Sequence, residues 1–328
     1  MIQSLNHFCQ GATVIISIKD AWPEYAVERH ERYVTELLTD ESKKAGAWGG
    51  RYLGDFVARN RRAISVGSVS EITDCIADFQ AVMAGKSEAV AERVRRRVEG
   101  VLNYSSFCKK RPEGWDAYAL CKEFKYDMCP YCQQSLAITV FRDGIGAFRP
   151  TLDHFYPKYR FPFLGLSLYN LVPSCQSCNS SLKGAKDFFD VKHLHPYESK
   201  EAIFFGLDID KYLESRAKGE KSWILSVLGS GDLAASKSIS TFAIKERYEM
   251  LESLVDRFVA STYLRFSINE EKYKCLISSA EFQLELDELI GFSPSAYKNE
   301  FLGRMKLDLY ELIRGKFERL LAGAGGYV

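Results

Sequence analysis

Apolar positions recur at helical spacing through most of the first third of the chain. EYAVERHERYVTELLT, residues 24 to 39, reads as a helix with mixed faces. The GAWGGRYLG stretch after it is glycine-rich and reads as a loop. In SEITDCIADFQAVM, residues 70 to 83, Ile72, Cys75, Ile76 and Phe79 follow one another at i, i+3, i+4 and i+7, behind Ser70 as the expected N-cap and ahead of Gly85 as the stop. Another helix is predicted over 87–102, opened by Ser87 and carrying Arg93, Arg95, Arg96 and Arg97. KKRPEGW then interrupts, and DAYALCKEFKYD predicts a short helix leading to the first cysteine pair.

From residue 126 to 190 the texture changes to Cys, Pro, Asn, Ser and aromatics, with short elements and many turns. SLAITVFRDG and GAFRPTLDHF predict two short strands around the turn Asp143-Gly144. AIFFGLDI and SWILSVLG predict two more, separated by a charged turn region and joined either as a hairpin or simply as a pair. Helical spacing returns in ISTFAIKERYEMLESLVDRFVAS through Phe242, Tyr248, Leu251, Val255 and Phe258. EFQLELDELIG and the segment from Ser295 to Leu321 follow, the latter ending at the glycines of LAGAGG. The expected fold class is α+β: a helical region over 1–120, a small metal-stabilised module over 121–195, and a small β segment followed by helices over 196–328.

With 328 residues, 46% hydrophobic and 27% charged, the chain is expected to be soluble and globular, as two domains or as one large domain with an inserted module. A formal net charge of only +1 argues against a dedicated non-specific DNA coat, while leaving room for a local basic face. The apolar patch from Val14 to Ile18 is too short for a signal peptide core or a membrane span. A cytoplasmic protein without membrane attachment is expected.

Four of the nine cysteines form two C-x-x-C pairs, Cys129/Cys132 in CPYC and Cys175/Cys178 in CQSC. Each pair offers two thiolates to one ion from a tight turn, the recurring arrangement for tetrahedral structural Zn²⁺. A thioredoxin-type redox site needs one pair, and the spacing contains no ferredoxin run. The expectation is one structural zinc, holding together a module poor in aliphatic residues. Cys9, Cys75, Cys108, Cys121 and Cys275 stand alone and are expected to be small buried hydrophobes.

Between the pairs lies LDHFYPK, residues 152–158. Metal-assisted phosphodiester hydrolysis needs an ion on hard ligands, a base for the attacking water, and a scaffold that fixes both. Asp153 is a hard oxygen ligand and His154 a base, but adjacent strand residues point to opposite sides, so both face one cleft only if FYP bends the chain. Asn179, directly after Cys178, would be positioned by the zinc knuckle, and the Asn170 amide is placed to pin the loop that carries His154.

The order Asp153-His154, Asn170-Leu171-Val172-Pro173, Cys175-x-x-Cys178-Asn179 and Lys183-Gly184 resembles the HNH endonuclease family with its ββα-metal fold, and the Cys129/Cys132 pair resembles its zinc-stabilised branch. The resemblance covers roughly residues 126 to 190. It implies a divalent-metal-dependent nuclease acting on DNA, with Asp153 and Asn179 as ligands to Mg²⁺ or Mn²⁺, His154 as general base and Asn170 as the residue that holds the base loop. The family more often has His where Asn179 stands, and the amide oxygen tilts the ion towards the harder metals. Bacterial defence nucleases of this kind also imply an antiviral effector restrained by a regulatory protein, such as a defence-system ATPase, or a homodimer placing two active sites on one duplex. Two other readings stand beside it: a catalytically silent zinc-stabilised module that binds nucleic acid, and a subunit whose flanking helices bind a partner protein.

Lys158, Arg160, Lys183 and Lys186 are near the expected ligands and are candidates for phosphate contact, against plain solvation. Arg93, Arg95, Arg96 and Arg97, with Lys109, Lys110 and Arg111, form the most basic part of the first third, although one helix cannot present all four arginines on one stripe. His193 and His195 either close over the site or are ordinary turn and packing residues.

Overall fold

The computed structural model describes residues 16–42, 51–111, 113–142, 145–268 and 287–324. Cys9, Cys275, the Asp143-Gly144 turn and most of EFQLELDELIG lie outside the described residues. The chain is an α+β protein, mostly helical, with small two-stranded antiparallel sheets. It divides into two compact units. One comprises Ser17–Pro130 with Leu136–Ser199; the other contains Tyr131–Ser135 and the chain from Lys200 onwards. Among the described residues no helix is long and apolar enough to cross a membrane.

The first unit begins with helices α1 (Glu24–Ser42), α2 (Arg51–Arg59), α3 (Arg61–Ser65), α4 (Val69–Met83) and α5 (Glu88–Val101). The expected glycine-rich loop is partly helix, because Leu53, Phe56 and Val57 of α2 recur at helical spacing and are buried. α4 starts two residues earlier than the expected cap implies. Ser68 is its N-cap, in a reciprocal capping box with Glu71, whereas Ser70 lies inside the first turn. Two short helices follow, α6 (Tyr104–Phe107) and α7 (Ala117–Lys122). Asp116 caps α7 by accepting from the backbone N–H groups of Tyr118 and Ala119.

The expected pair of strands around residue 143 is three strands. β1 (Val140–Arg142) pairs with β2 (Ile145–Phe148), and β3 (Thr151–His154) separates from β2 at Arg149-Pro150. β3 pairs instead with β4 (Leu171–Ser174), antiparallel, with Asp153 opposite Val172 and His154 opposite Leu171. β4 escaped sequence reading because LVPS is short and contains a proline, yet all four of its residues are buried. A π-helical turn, Ser177–Lys183, follows it and ends at Gly184, whose φ of +52° suits glycine.

In the second unit, β5 (Ile203–Gly206) and β6 (Ser226–Gly229) pair antiparallel, joined through helix α8 (Ile209–Ala217) where the sequence suggested a charged turn. α9 (Leu233–Thr241), α10 (Ile244–Glu249) and α11 (Glu252–Ile268) replace the expected single helix. The break falls where Ala243 takes a left-handed φ of +47° and Phe242 is buried. α12 (Gly303–Ala324) packs on β5 and α11. Tyr131–Ser135 is built into this unit: Tyr131 stacks on Phe242 at 4.4 Å, Tyr248 donates its hydroxyl to the Cys132 carbonyl, and Gln133 donates to the Tyr297 carbonyl while accepting from the Arg304 backbone N–H.

Candidate functional site

The four paired cysteines converge. The Sγ atoms of Cys129, Cys132, Cys175 and Cys178 all lie within 4.8 Å of one another, and all four residues are buried. Tetrahedral Zn²⁺ with bonds of about 2.3 Å separates its sulfurs by about 3.8 Å, so the cluster fits that ion. The backbone N–H groups of Gln134 and Cys178 point at Cys132 Sγ and Cys175 Sγ, at 3.4 and 3.5 Å. Such donors stabilise thiolate charge and orient the ligands. The chain therefore carries a buried four-cysteine site suited to structural zinc. Of the lone cysteines, Cys75 and Cys121 are buried and Cys108 is half-buried; burial pushes the Cys121 thiol up to about 12, which makes it inert.

Asp153 and His154 share a strand end but have different surroundings. Asp153 is 2% exposed, and its Oδ1 accepts from Lys183 Nζ at 2.6 Å. The same ammonium donates to the His154 carbonyl and lies 4.8 Å from the centre of the Phe188 ring. Lys183, expected as a phosphate contact, is instead a buried partner of Asp153. The amide of Asn179 is half-exposed on the same turn and makes no hydrogen bond with the described residues.

The His154 ring takes a different partner set. Its Nε2 is 3.0 Å from the Gly165 carbonyl, which can only accept, so Nε2 carries the hydrogen and Nδ1 of the neutral ring holds the lone pair. Tyr104 meets the ring edge-on with centroids 4.5 Å apart. Burial lowers the imidazole pKa to about 3, against the carbonyl bond, with Lys158 and Lys183 adding to the fall. Burial thus favours the neutral ring. Beside it, Tyr104, Lys158, Gly165, Asn103, Ser105 and Glu99 line a cleft of about 150 Å³.

Asn170 is wholly buried. Its Oδ1 accepts from the Tyr156 N–H at 2.8 Å, and its Nδ2 donates to the carbonyls of Tyr156 and Leu164 at 3.1 and 3.3 Å. Its own carbonyl accepts from the Phe155 N–H. The loop after His154 is therefore tied to Asn170 at two successive residues.

The other sequence candidates divide by partner. Arg160 is ion-paired with Asp187 and Asp190 at 2.8 and 2.7 Å. Arg96 pairs with Glu92 at 2.7 Å, and Arg95 pairs with Glu92 as well, so part of the arginine cluster is neutralised by its own helix. Lys186 donates to the Leu182 carbonyl. Lys158 is exposed, with its ammonium 5.6 Å from the centre of the Tyr104 ring. His193 stacks on Phe188 at 3.7 Å, and the buried His195 packs on Phe155 at 4.0 Å with its Nε2 unbonded. Sequence reading missed two residues that complete the His154 environment, Tyr104 and Gly165. Tyr104 comes from a distant helix and Gly165 from a turn eleven residues on, and neither carries a motif.

No protein-family model and no solved structure matches the chain. Among curated proteins the chain is similar to protein ea31 of Escherichia phage lambda, with 34% identity over 80 residues. The match spans 24% of this chain and 23% of that protein, so it covers less than a quarter of the relative's length.

Proposed function

We propose that the chain is a divalent-metal-dependent endonuclease of the HNH type that hydrolyses DNA phosphodiester bonds, with His154 as the general base. The observation that carries this reading is the fixed tautomer of His154. A general base needs an unprotonated nitrogen held in one orientation at a cleft. The Gly165 carbonyl leaves Nδ1 as that nitrogen, and Tyr104 packs edge-on against the ring. Asn170 holds the loop beyond it, and Lys158 offers a cation for the substrate phosphate. The antiparallel pair β3–β4 followed by the helical turn Ser177–Lys183 supports this reading.

Asp153 and Asn179 would hold the catalytic ion. One carboxylate and one amide oxygen suit Mg²⁺ or Mn²⁺, which complete their shells with water. When bound, the ion supplies charge to the phosphate that the protein alone lacks. The direct test incubates the purified protein with supercoiled plasmid and Mg²⁺ or Mn²⁺ beside a His154→Ala control. Cleavage that needs the ion and is lost in the variant supports the proposal; equal cleavage by both proteins overturns it.

A second reading has its own observation. The Lys183 ammonium already neutralises Asp153 inside the protein, which suits a zinc-stabilised subunit that binds nucleic acid or a partner without cutting. That reading expects binding with no ion-dependent cleavage. The helical remainder of the chain is proposed to bind a regulatory protein, such as a defence-system ATPase, or a second copy of the chain. Mass in solution and co-purification decide between these.

A further inference from the structure

Cations in the first unit differ in whether a carboxylate pairs with them. Arg95, Arg96 and Arg160 are paired with carboxylates. Lys110, Lys122, Arg149 and Lys158 make no ion pair among the described residues; each lies over an aromatic ring instead. Lys110 and Arg149 each lie 5.3 Å from the centre of Tyr118, and Lys122 lies 5.6 Å from that of Phe141. Tyr118 and Phe141 meet edge-on at 6.5 Å. Tyr104, the ring that meets His154, carries Lys158 in the same way, 5.6 Å from its centre. Rings therefore carry cations without ion-pair partners both beside His154 and at the β1–β2 hairpin.

The hairpin itself has no buried side along β1, where Val140, Phe141 and Arg142 are all exposed. Phe141 is 38% exposed, on an element too small to need it for a core of its own. Arg142 makes no ion pair among the described residues either. Alternating ring faces and cations is the arrangement that binds single strands, the rings stacking on unpaired bases and the cations following the phosphates. A duplex hides its base faces and has no use for exposed rings of this kind.

We infer that the face formed by Tyr118, Phe141, Lys110, Lys122 and Arg149 holds a single-stranded stretch of DNA whose continuation reaches His154. The inference rests on the nuclease reading for its destination and on the surface itself for binding.

The test titrates the full-length protein by fluorescence anisotropy against a labelled oligothymidylate of about 20 nucleotides, a duplex of the same length, and oligouridylate. No divalent cation is added, so a protein that cuts nothing still reports binding, and failure of the nuclease reading appears separately in the plasmid assay. Oligothymidylate is expected to bind more tightly than the duplex. Phe141→Ala should weaken it on the order of tenfold, Phe141→Trp should retain it, and Phe141→Leu should fail to restore it. Lys122→Gln should reduce the slope of log affinity against log salt by roughly 0.7. Wild-type affinity in Phe141→Leu and an unchanged salt slope in Lys122→Gln would overturn the inference even if Phe141→Ala failed to fold. Tighter binding of duplex or RNA, or no binding of any nucleic acid, would overturn it as well.

Discussion

Lys183 sets its ammonium 2.6 Å from Oδ1 of Asp153, and each side chain is only 3% exposed. Removing one partner of such a buried pair leaves the other charge poorly compensated, which costs about 3–5 kcal/mol. Lys183→Met is expected to lose stability on that scale in denaturant unfolding. If Asp153 is an ion ligand, millimolar Mg²⁺ should restore part of the loss by binding the folded state. A variant that Mg²⁺ leaves unchanged would count against Asp153 as a ligand.

The four-cysteine cluster should hold about one zinc per chain by elemental analysis, because four converging thiolates complete a tetrahedral shell. Cys175→Ala should release the metal and expose the segment around β3 and β4 to proteolysis. A zinc-free protein with unchanged folding would refute this.

His154→Ala should slow ion-dependent cleavage by about 10²–10⁴-fold, the usual contribution of a general base, while zinc content stays the same. With the imidazole pKa lowered to about 3 by burial, the base form is present throughout the neutral range. The rate should therefore show no His inflection near the ordinary value of about 6.5, and protonation of this ring should cut it only in strong acid. An inflection near 6.5 that disappears in a His154→Gln background would contradict the assigned environment.

Asn170→Ala should strand the Tyr156 N–H and the carbonyls of Tyr156 and Leu164. Unsatisfied buried groups of this kind cost roughly 1–3 kcal/mol each, less what water recovers, so a loss of about 3 kcal/mol is expected. Thermal unfolding measures it. A variant within 0.5 kcal/mol of wild type, an approximate bound for an uninvolved surface site, would show that the clamp contributes little.

His30 offers a stability test away from the candidate site. It is fully buried, accepts from the Trp115 indole at Nδ1 and donates from Nε2 to the Leu166 carbonyl, and burial lowers its pKa from 6.5 to about 4. The folded state favours the neutral ring, so this contribution is fully present above pH 6.5 and is lost as pH falls towards 4. The slope is about 1.4 kcal/mol per pH unit for one proton. Unfolding free energies of wild type and His30→Gln should diverge across that window; parallel pH profiles would exclude His30 as the source.

Sequence alone was sufficient for features carried by local spacing. The two C-x-x-C pairs specify their own turns, and no other residues in the chain offer four thiolates in that pattern. The amphipathic repeat of Ile72, Cys75 and Ile76 places α4, and Ser87 lies directly before α5, because helix faces and starts are set within a few residues. What depends on contacts between distant segments was decided only by the tertiary structure. β4 exists because β3 pairs with it, although neither LVPS nor its proline signals a strand. The helix expected through Phe242 breaks because that ring is buried against Tyr131, more than a hundred positions earlier. Lys183 looked like a solvated phosphate contact until Asp153 appeared beside it. The tautomer of His154 rests on a carbonyl eleven residues away, and its ring packs against a tyrosine fifty residues upstream. A side chain's charge and hydrogen-bonding role depend on which partners surround it, and those partners are assembled only when the chain has folded.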